Sequence, residues 1–123
     1  MPVTERMKAA ARYMREHFEY KSDGLFETWR IGKMRGDCED FALTTLWLLC
    51  GEDKGAVKRT LLADKPIARI IRTKTRQGNY HAVLQYNGKF ICNRYPTWSD
   101  WRSEYKMFKP YKGLVLRLKL MLS

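Results

Sequence analysis

The chain lacks the cysteine and histidine spacings by which many small domains are held together. Its three cysteines are an odd number with no close pair, which argues against a disulfide scaffold. There is no Cys-x-x-Cys pair, and His17 and His81 are far apart in the sequence, so a structural zinc site is not expected. We expect Cys50 and Cys92 to be core residues and His17 to lie on the surface.

Long apolar runs are also missing. No run approaches the roughly 20 residues that a helix needs to cross a bilayer, and the N-terminal residues carry charges where a signal peptide would have its apolar centre. These absences predict a cytoplasmic protein without a membrane partner. The content of 45% hydrophobic and 13% aromatic residues is globular rather than disordered, and the length predicts one domain over residues 1–123.

Acidic residues are few compared with basic ones. The chain has 13 Asp and Glu residues against 24 Lys and Arg residues, which gives a formal net charge of +11. A positive field favours anionic partners, such as an acidic protein, nucleic acid or an anionic polymer. The basic residues are spread, with modest clusters at residues 69–76 and 106–119, so a solvated basic surface without a dedicated ligand is the alternative. Size and charge would also suit a phage or mobile-element protein.

The first half of the chain is predicted to be helical. Apolar residues recur at helical spacing over residues 3–18, and Thr4 can cap that helix. Residues 20–24 are typical of a turn, and residues 25–35 predict a loop or a short helix. A second helix over residues 37–50 is apolar almost all round, and we therefore expect it in the core.

The second half is predicted to be mainly strands. They are expected at residues 67–75, 80–86 and 89–95, the last two joined by an Asn87-Gly88 hairpin turn. Residues 96–110 are rich in turns and aromatic side chains, with a short helix that Ser99 or Asp100 could cap. Alternating leucines over residues 114–121 predict a half-buried final strand. The expected fold class is α+β, with a central buried helix packed on an antiparallel sheet.

The chemistry that the residues permit centres on Cys38. This cysteine begins the second predicted helix, with Asp37 as the N-cap, so the helix dipole favours its thiolate form. Backbone N–H groups at the same helix start, including that of Cys38, could stabilise a developing oxyanion. A thiol nucleophile also needs an imidazole as base and an acceptor that orients the imidazole. His81 and Asn93 are the candidates for these two roles.

The type of hairpin turn decides whether His81 can meet Asn93. A two-residue Asn87-Gly88 turn pairs His81 with Arg94 and puts Asn93 on the other face of the sheet. A three-residue loop that begins at Tyr86 sets His81 directly opposite Asn93. The Cys-His-Asn triad therefore requires the three-residue loop, or a bulge elsewhere in the hairpin.

Negative charge surrounds the candidate nucleophile. Asp37, Glu39 and Asp40 lie beside Cys38 in the sequence, and like charge raises the pKa of a thiol. Either these carboxylates cap the helix and form salt bridges, or a cation neutralises them. Oxygen ligands of this kind suit calcium, although capping is the commoner use of acids at a helix start.

Four segments together resemble the bacterial transglutaminase-like cysteine proteinases, which belong to the broader transglutaminase-like, papain-related fold. These segments are Tyr20–Asp23, Glu27–Trp29, Gly36–Ala42 and His81–Leu84. The similarity covers roughly residues 18–95, and the block Gly-Asp-Cys-Glu-Asp is its most specific part. The resemblance implies a papain-like core with Cys38 as nucleophile.

Further roles follow from the same resemblance. It implies that His81 is the general base, that Trp29 lines the substrate cleft and that calcium, used by some family members, would be held by Asp37 and Glu39. A packed core tryptophan is the alternative for Trp29. The third residue of the catalytic triad is typically an aspartate in this family. Asn93 stands at the matching position here, as in the papain branch.

The sequence departs from the family pattern at the third member of the catalytic triad. The step from His81 to Asn93 is short for the family, and an asparagine stabilises a charged imidazole less strongly than an aspartate. Asp100 is a fallback third member, although it lies beyond Pro96 and off the predicted strand.

Two classes of function remain open on the sequence alone. The first is a small thiol hydrolase that cleaves a peptide or amide bond in a peptide or protein, with water or an amine as acceptor; it requires no cofactor apart from the implied calcium. The second is an inactive descendant of the fold that binds an acidic protein or nucleic acid. Its candidate basic residues are Arg72, Lys74, Arg76, Arg117 and Lys119. They lack the regular interleaving of exposed aromatics typical of single-strand nucleic-acid platforms, which favours the enzyme.

Overall fold

The computed structural model describes residues 2–21, 29–121 and 123. In chain order these residues form α1 (Glu5–His17), β1 (Glu19–Tyr20), β2 (Arg35–Gly36), α2 (Cys38–Leu49), α3 (Lys54–Leu62), β3 (Ala68–Lys74), β4 (Tyr80–Tyr86), β5 (Lys89–Ile91), β6 (Lys109–Pro110) and α4 (Gly113–Met121). Most of the turn predicted at residues 20–24 and part of the loop predicted at residues 25–35 lie outside the described residues.

An antiparallel sheet forms one layer of the fold. Its strand order is β5-β4-β3-β6, and the long central pair β3–β4 runs in register from Ala68 opposite Tyr86 to Lys74 opposite Tyr80. Helix α2 packs against β4 on one side and against α1 on the other. The predicted α+β class with a central buried helix is confirmed. Of the described helices, none is both long and apolar enough to cross a membrane.

The first predicted helix is confirmed as α1. The Thr4 hydroxyl oxygen accepts a hydrogen bond from the Met7 backbone N–H at 3.2 Å, which caps the helix as expected. The side chains on one face are buried; they are Met7, Ala10, Ala11 and Met14. His17 lies exposed at the end of the helix and stacks on Tyr13, in agreement with its predicted surface position.

Helix α2 is the centre of the core. Asp37 caps its start, and Gly51 follows its end with a φ of 74°, a left-handed conformation that glycine adopts without strain. The side chains that it buries come from every side of the helix and include Phe41, Ala42, Leu43, Leu46 and Leu49. A helix that is apolar all round must be covered on all sides, which explains its position between α1 and the sheet.

The residues after Gly51 were predicted to form mainly strands, but Lys54–Leu62 forms the helix α3. Asp53 caps α3 by accepting a hydrogen bond from the Ala56 N–H at 3.1 Å, and Val57 and Leu61 are buried one turn apart. A cap followed by apolar residues at a spacing of four was the available signal.

The predicted final strand was wrong, because Gly113–Met121 is helical. Leu116 and Leu120 are buried at helical spacing, whereas Leu114 and Leu118 are exposed. Leucine, arginine, lysine and methionine favour helices intrinsically. This preference prevails over the alternating pattern, because no strand among the described residues pairs with this segment.

The short helix predicted within residues 96–110 is also absent from this described segment. Ser99 instead forms two backbone hydrogen bonds with Phe90, of 2.8 and 3.0 Å, so that it extends the edge of the sheet. The strands predicted at residues 67–75 and 80–86 are confirmed within one residue at each end. The third strand is shorter than predicted and ends at Ile91.

Truncation of α2 should affect stability much more than truncation of α4. Leu46 is fully buried, so Leu46→Ala should lower the free energy of unfolding by about 2–5 kcal/mol through lost burial and a residual cavity. Leu118, on the same type of element, is 52% exposed, and Leu118→Ala should change stability by about 0.5 kcal/mol or less. Urea denaturation followed by circular dichroism measures both, and equal losses would contradict the central position of α2.

Candidate active site

The sulfur of Cys38 lies between the start of α2 and strand β4. It accepts a hydrogen bond from the backbone N–H of Ala82 at 3.3 Å, and its thiol donates to Glu39 Oε2 at 3.4 Å. Ala82 directly follows His81 in β4. The fold therefore brings the predicted nucleophile to the strand that carries the predicted base, although the two are 43 residues apart in the sequence.

The acids around Cys38 fix the helix start on which it stands. Asp37 Oδ1 accepts a hydrogen bond from the Asp40 N–H at 3.1 Å, and Asp40 Oδ2 accepts one from the Asp37 N–H at 3.0 Å. This reciprocal capping box satisfies backbone donors that have no partner within the helix. Asp40 is fully buried, and its Oδ1 also accepts from the Arg30 N–H at 2.7 Å. Capping, the commoner alternative, is therefore the use made of Asp37 and Asp40.

Gly36 makes room for this capping box. Its φ of 152° is rarely adopted by residues with a side chain, and a Cβ at this position would overlap the carboxylate of Asp40. The glycine before the Asp-Cys-Glu-Asp block is thus required by the close approach of Asp40.

The thiol is held in its protonated form. Burial raises the pKa of Cys38 most, the negative charge of Glu39 raises it further, and Asp37 adds to the same effect. The hydrogen bond from the Ala82 N–H acts in the opposite direction but does not compensate. Desolvation and the two carboxylates therefore oppose the thiolate form that the helix dipole was expected to favour.

His81 is held in its neutral form. Its side chain is 7% exposed, and burial, with a smaller contribution from the charge of Arg94, lowers its pKa to about 4. The Nε2 atom is buried and has no hydrogen-bond partner among the described residues. A neutral imidazole at pH 7 can accept a proton, which is the property that a general base needs.

Of the two turn types that the sequence left open, the structure has the two-residue type. Tyr86 pairs with Lys89, and Asn87 and Gly88 have φ values of 54° and 79°, as in a type I′ turn. The pairing ends at Ile91, however, and the strand alternation does not continue to Asn93.

His81 and Asn93 nevertheless line the same cavity. This cavity measures 290 Å³, and its other lining residues are Tyr20, Thr75, Asn79, Tyr80 and Arg94. Asn93 Oδ1 is buried and, like His81 Nε2, has no partner among the described residues. Within that part of the chain, no hydrogen bond joins Cys38 to His81 or His81 to Asn93. Cys38 is not among the residues that line this cavity, and its contact with β4 is the hydrogen bond from the Ala82 N–H.

Two other predicted residues lie elsewhere. Trp29 is 1% exposed and packs edge-on against Tyr111 with ring centroids 5.1 Å apart, which favours the core alternative over the cleft-lining one. Asp100 is exposed and forms an ion pair of 2.7 Å with Lys89. The structure therefore places the fallback third member away from His81.

The predicted calcium ligands are already engaged by protein groups. Asp37 Oδ1 takes part in the helix cap, and Glu39 Oε2 accepts from the Cys38 thiol. Over residues 2–21, 29–121 and 123, no group of three His, Cys, Asp or Glu side chains is close enough to hold a metal ion. The described part of the chain thus provides two carboxylates of the right chemistry but no third acidic ligand.

The sequence did not indicate which aromatic side chain lies near His81. The ring of Tyr105 lies 6.0 Å from the imidazole between centroids, and its hydroxyl lies 2.8 Å from the sulfur of Cys92, a core residue as predicted. The sequence shows that residues 96–110 are rich in aromatic side chains, but only the fold shows that Tyr105 is the one that lies near His81 on β4.

Comparison with known proteins identifies the fold. No protein-family model matches the chain, and no curated protein matches it by sequence. Three solved structures of LapG from Legionella pneumophila share the architecture of this chain at 20% sequence identity. The TM-scores are 0.62 for calcium-bound LapG, 0.60 for LapG and 0.58 for EGTA-treated LapG. The alignments cover 89% of this chain and 63%, 63% and 61% of LapG, respectively.

The chain therefore has the transglutaminase-like α+β fold that the sequence predicted. It spans slightly less than two thirds of the length of LapG. At this level of identity the likeness shows the fold, and the chemistry must be argued from the residues of this chain.

Substitution of Gly36 should disrupt the helix start. Gly36→Ala should lower the free energy of unfolding by about 1–3 kcal/mol or more, because a Cβ would displace the Asp40 carboxylate from the capping box. Gly78→Ala is the matched control, since Gly78 also has a positive φ of 85° but no atom within 4 Å of the added Cβ. Urea denaturation of both variants measures the difference, and equal losses would mean that Asp40 does not constrain Gly36.

The imidazole of His81 should titrate in the acid range. An NMR titration of its ring protons should give a pKa of about 4, and Arg94→Gln should raise it because a nearby positive charge is lost. In the unfolded chain the imidazole has a pKa of about 6.5. Stability contributed by this group is therefore complete above about pH 6.5 and is lost as the pH falls toward 4. A midpoint at or above 6.5 in the folded protein would contradict the burial of His81.

Proposed function

We propose that this protein is a thiol hydrolase of peptide or amide bonds in which Cys38 is the nucleophile and His81 the general base. The observation that carries the proposal is the position of the Cys38 sulfur, 3.3 Å from the backbone nitrogen that follows His81. The transglutaminase-like cysteine protease fold supports the same reaction class.

Acylation begins from a neutral pair. Because the thiol is protonated and the imidazole is neutral, the proton must leave sulfur as the sulfur attacks the carbonyl carbon. His81 takes this proton and then gives it to the nitrogen of the leaving amine as the C–N bond breaks. The product is a thioester on Cys38 and a free amine.

The start of α2 supplies the groups that would stabilise the tetrahedral intermediate. The N–H of Cys38 stands at the first helical position, where no carbonyl of the helix can accept it. An oxyanion formed at the attacked carbonyl would lie at the positive end of the helix dipole. Water, or an amine in a transamidation, then attacks the thioester with His81 as base, and Cys38 is regenerated.

Asn93 is proposed as the residue that orients His81. Its Oδ1 and His81 Nε2 are both buried and unpartnered within the described residues, and the two residues line one cavity. A small movement of the segment after β5 would let the amide oxygen accept a hydrogen bond from the imidazole. The same bond would stabilise the imidazolium formed during attack.

Calcium is proposed as an accessory ion held by Asp37 and Glu39. Their carboxylates have the chemistry that calcium prefers, and the existence of a calcium-bound LapG structure supports the idea. A bound cation would supply positive charge where these two acids now raise the pKa of Cys38.

Location in the cytoplasm stays a prediction.

A second candidate function is anion binding without catalysis. Arg69, Lys112 and Arg117 outnumber the one acidic residue, Asp64, in the lining of a separate cavity of 260 Å³ between the end of α3 and the start of α4. This cluster favours a basic binding module for an acidic protein or nucleic acid. Affinity for such a partner would fall steeply with salt, and Cys38→Ala would leave it unchanged.

Alkylation of the three cysteines tests the proposal. Iodoacetamide labelling at pH 7, read by peptide mass spectrometry, should modify Cys38 faster than Cys92, which is buried. His81→Ala should slow the reaction at Cys38 by about tenfold or more, because the proton acceptor is lost. His17→Ala is the matched control, since His17 lies exposed on α1.

The same experiment includes calcium and its chelator. Faster labelling of Cys38 with calcium, lost in Glu39→Gln, would support the ion site. If Cys38 reacts no faster in wild type than in His81→Ala with or without calcium, the hydrolase proposal fails.

A further inference from the structure

Beside His81 lies a second, smaller cavity of 60 Å³ that shares two wall residues with the one described above. Thr75 and Arg94 line both cavities, and the smaller one is completed by Arg76, Gln77, Tyr95, Glu104 and Tyr105. A water molecule takes up about 30 Å³ of liquid volume. The smaller cavity therefore has room for a small polar group such as a carboxylate.

Thr75, which lines both cavities, has a hydroxyl group without a hydrogen-bond partner among the described residues. The residue is 4% exposed, and its Oγ1 is buried. Its backbone groups are satisfied, since its N–H donates to Asn79 at 2.9 Å and its carbonyl accepts from Gly78 at 3.0 Å. A buried hydroxyl without a partner is costly and is expected to meet one in the functional state.

The charge around the shared wall is positive. Arg94 is exposed and lies close enough to His81 to lower the pKa of the imidazole. Arg76 also lines the smaller cavity. The acid that lines the smaller cavity, Glu104, forms an ion pair of 3.2 Å with Arg102, which lines neither cavity. The charge of Glu104 is thus offset by Arg102, and Arg76 and Arg94 leave a net positive charge at the smaller cavity.

We propose that the shared wall of these two cavities is a subsite that binds a carboxylate of the substrate next to the bond to be cleaved. Arg94 would bind the carboxylate through paired N–H groups, and the Thr75 hydroxyl would donate a third hydrogen bond. The inference rests on the proposed function and names the substrate class: peptides with a negative charge beside the scissile bond.

Two sources could supply this carboxylate, and both fit the same chemistry. One is an aspartate or glutamate side chain within a peptide, and the other is a free C-terminus. The net charge of +11 on the whole chain would favour either one at long range. The buried hydroxyl of Thr75 favours a specific contact over general attraction, since a diffuse field does not satisfy a single donor.

Binding of small probes to the full chain tests the subsite without requiring catalysis. The probes are N-acetylglutamate α-amide, its neutral isostere N-acetylglutamine α-amide, and N-acetylalanine, whose carboxylate is C-terminal. Affinities are measured from NMR shifts of the Thr75 amide and the His81 ring. The glutamate probe or N-acetylalanine should bind at least about tenfold more tightly than the glutamine probe, as expected for charge-assisted hydrogen bonds.

Matched variants separate the subsite from the general positive charge. Arg94→Gln should remove the preference for the charged probe, whereas Arg117→Gln, with the same change in net charge at a distant cavity, should leave it. Thr75→Val should weaken binding of the charged probe severalfold. Thr73→Val is the control, because Thr73 also has a buried, unpartnered hydroxyl but lines neither cavity.

The outcomes distinguish this inference from the proposed function. Preferential binding that depends on Arg94 and Thr75 supports the subsite even if Cys38 proves unreactive. Equal binding of the charged and neutral probes overturns it, even if Cys38 proves to be a competent nucleophile. A preference that Arg117→Gln reduces as much as Arg94→Gln also overturns it, because general attraction would then suffice.

Discussion

The position of the candidate nucleophile depends on one buried carboxylate. Asp40 binds the backbone N–H groups of Asp37 and Arg30, so it holds the start of α2 against the segment that precedes it. A buried carboxylate is tolerated only when its oxygens are bonded in this way. Gly36 leaves the space that this arrangement needs. The residues around Cys38 thus mainly fix the start of α2, which positions the Cys38 sulfur beside β4.

The electrostatics of the site follow from the same packing. Burial keeps the thiol protonated and the imidazole neutral, so neither group is charged before substrate arrives. The Glu39 carboxylate, 3.4 Å from the sulfur, opposes a resting thiolate. Anything that neutralises Glu39 or draws the thiol proton toward His81 would activate Cys38. Asp37 and Asp40 thus cap the helix, whereas Glu39 stabilises the protonated form of the Cys38 thiol.

The sequence allowed the capped helix that begins at Cys38 and the Asn-Gly turn to be predicted, but not the surroundings of His81. The capping residues, the apolar helix and the Asn-Gly turn are local signals, and all three predictions agree with the structure. The helicity of residues 113–121 was not accessible, because alternation and helix propensity disagree there and the absence of a strand partner decides. The relation between His81 and Asn93 was missed for a similar reason, since the strand ends at Ile91 before register can determine where Asn93 lies.

The central claim is that Cys38 and His81 act together as nucleophile and base. Incubation with p-nitrophenyl acetate, followed by rapid acid quench and peptide mass spectrometry, measures it most directly. The account predicts an acetyl thioester on Cys38 that forms quickly in wild type and at least about tenfold more slowly in His81→Ala. Acetylation of Cys38 at the same rate in both proteins, or none at Cys38 in either, would contradict it.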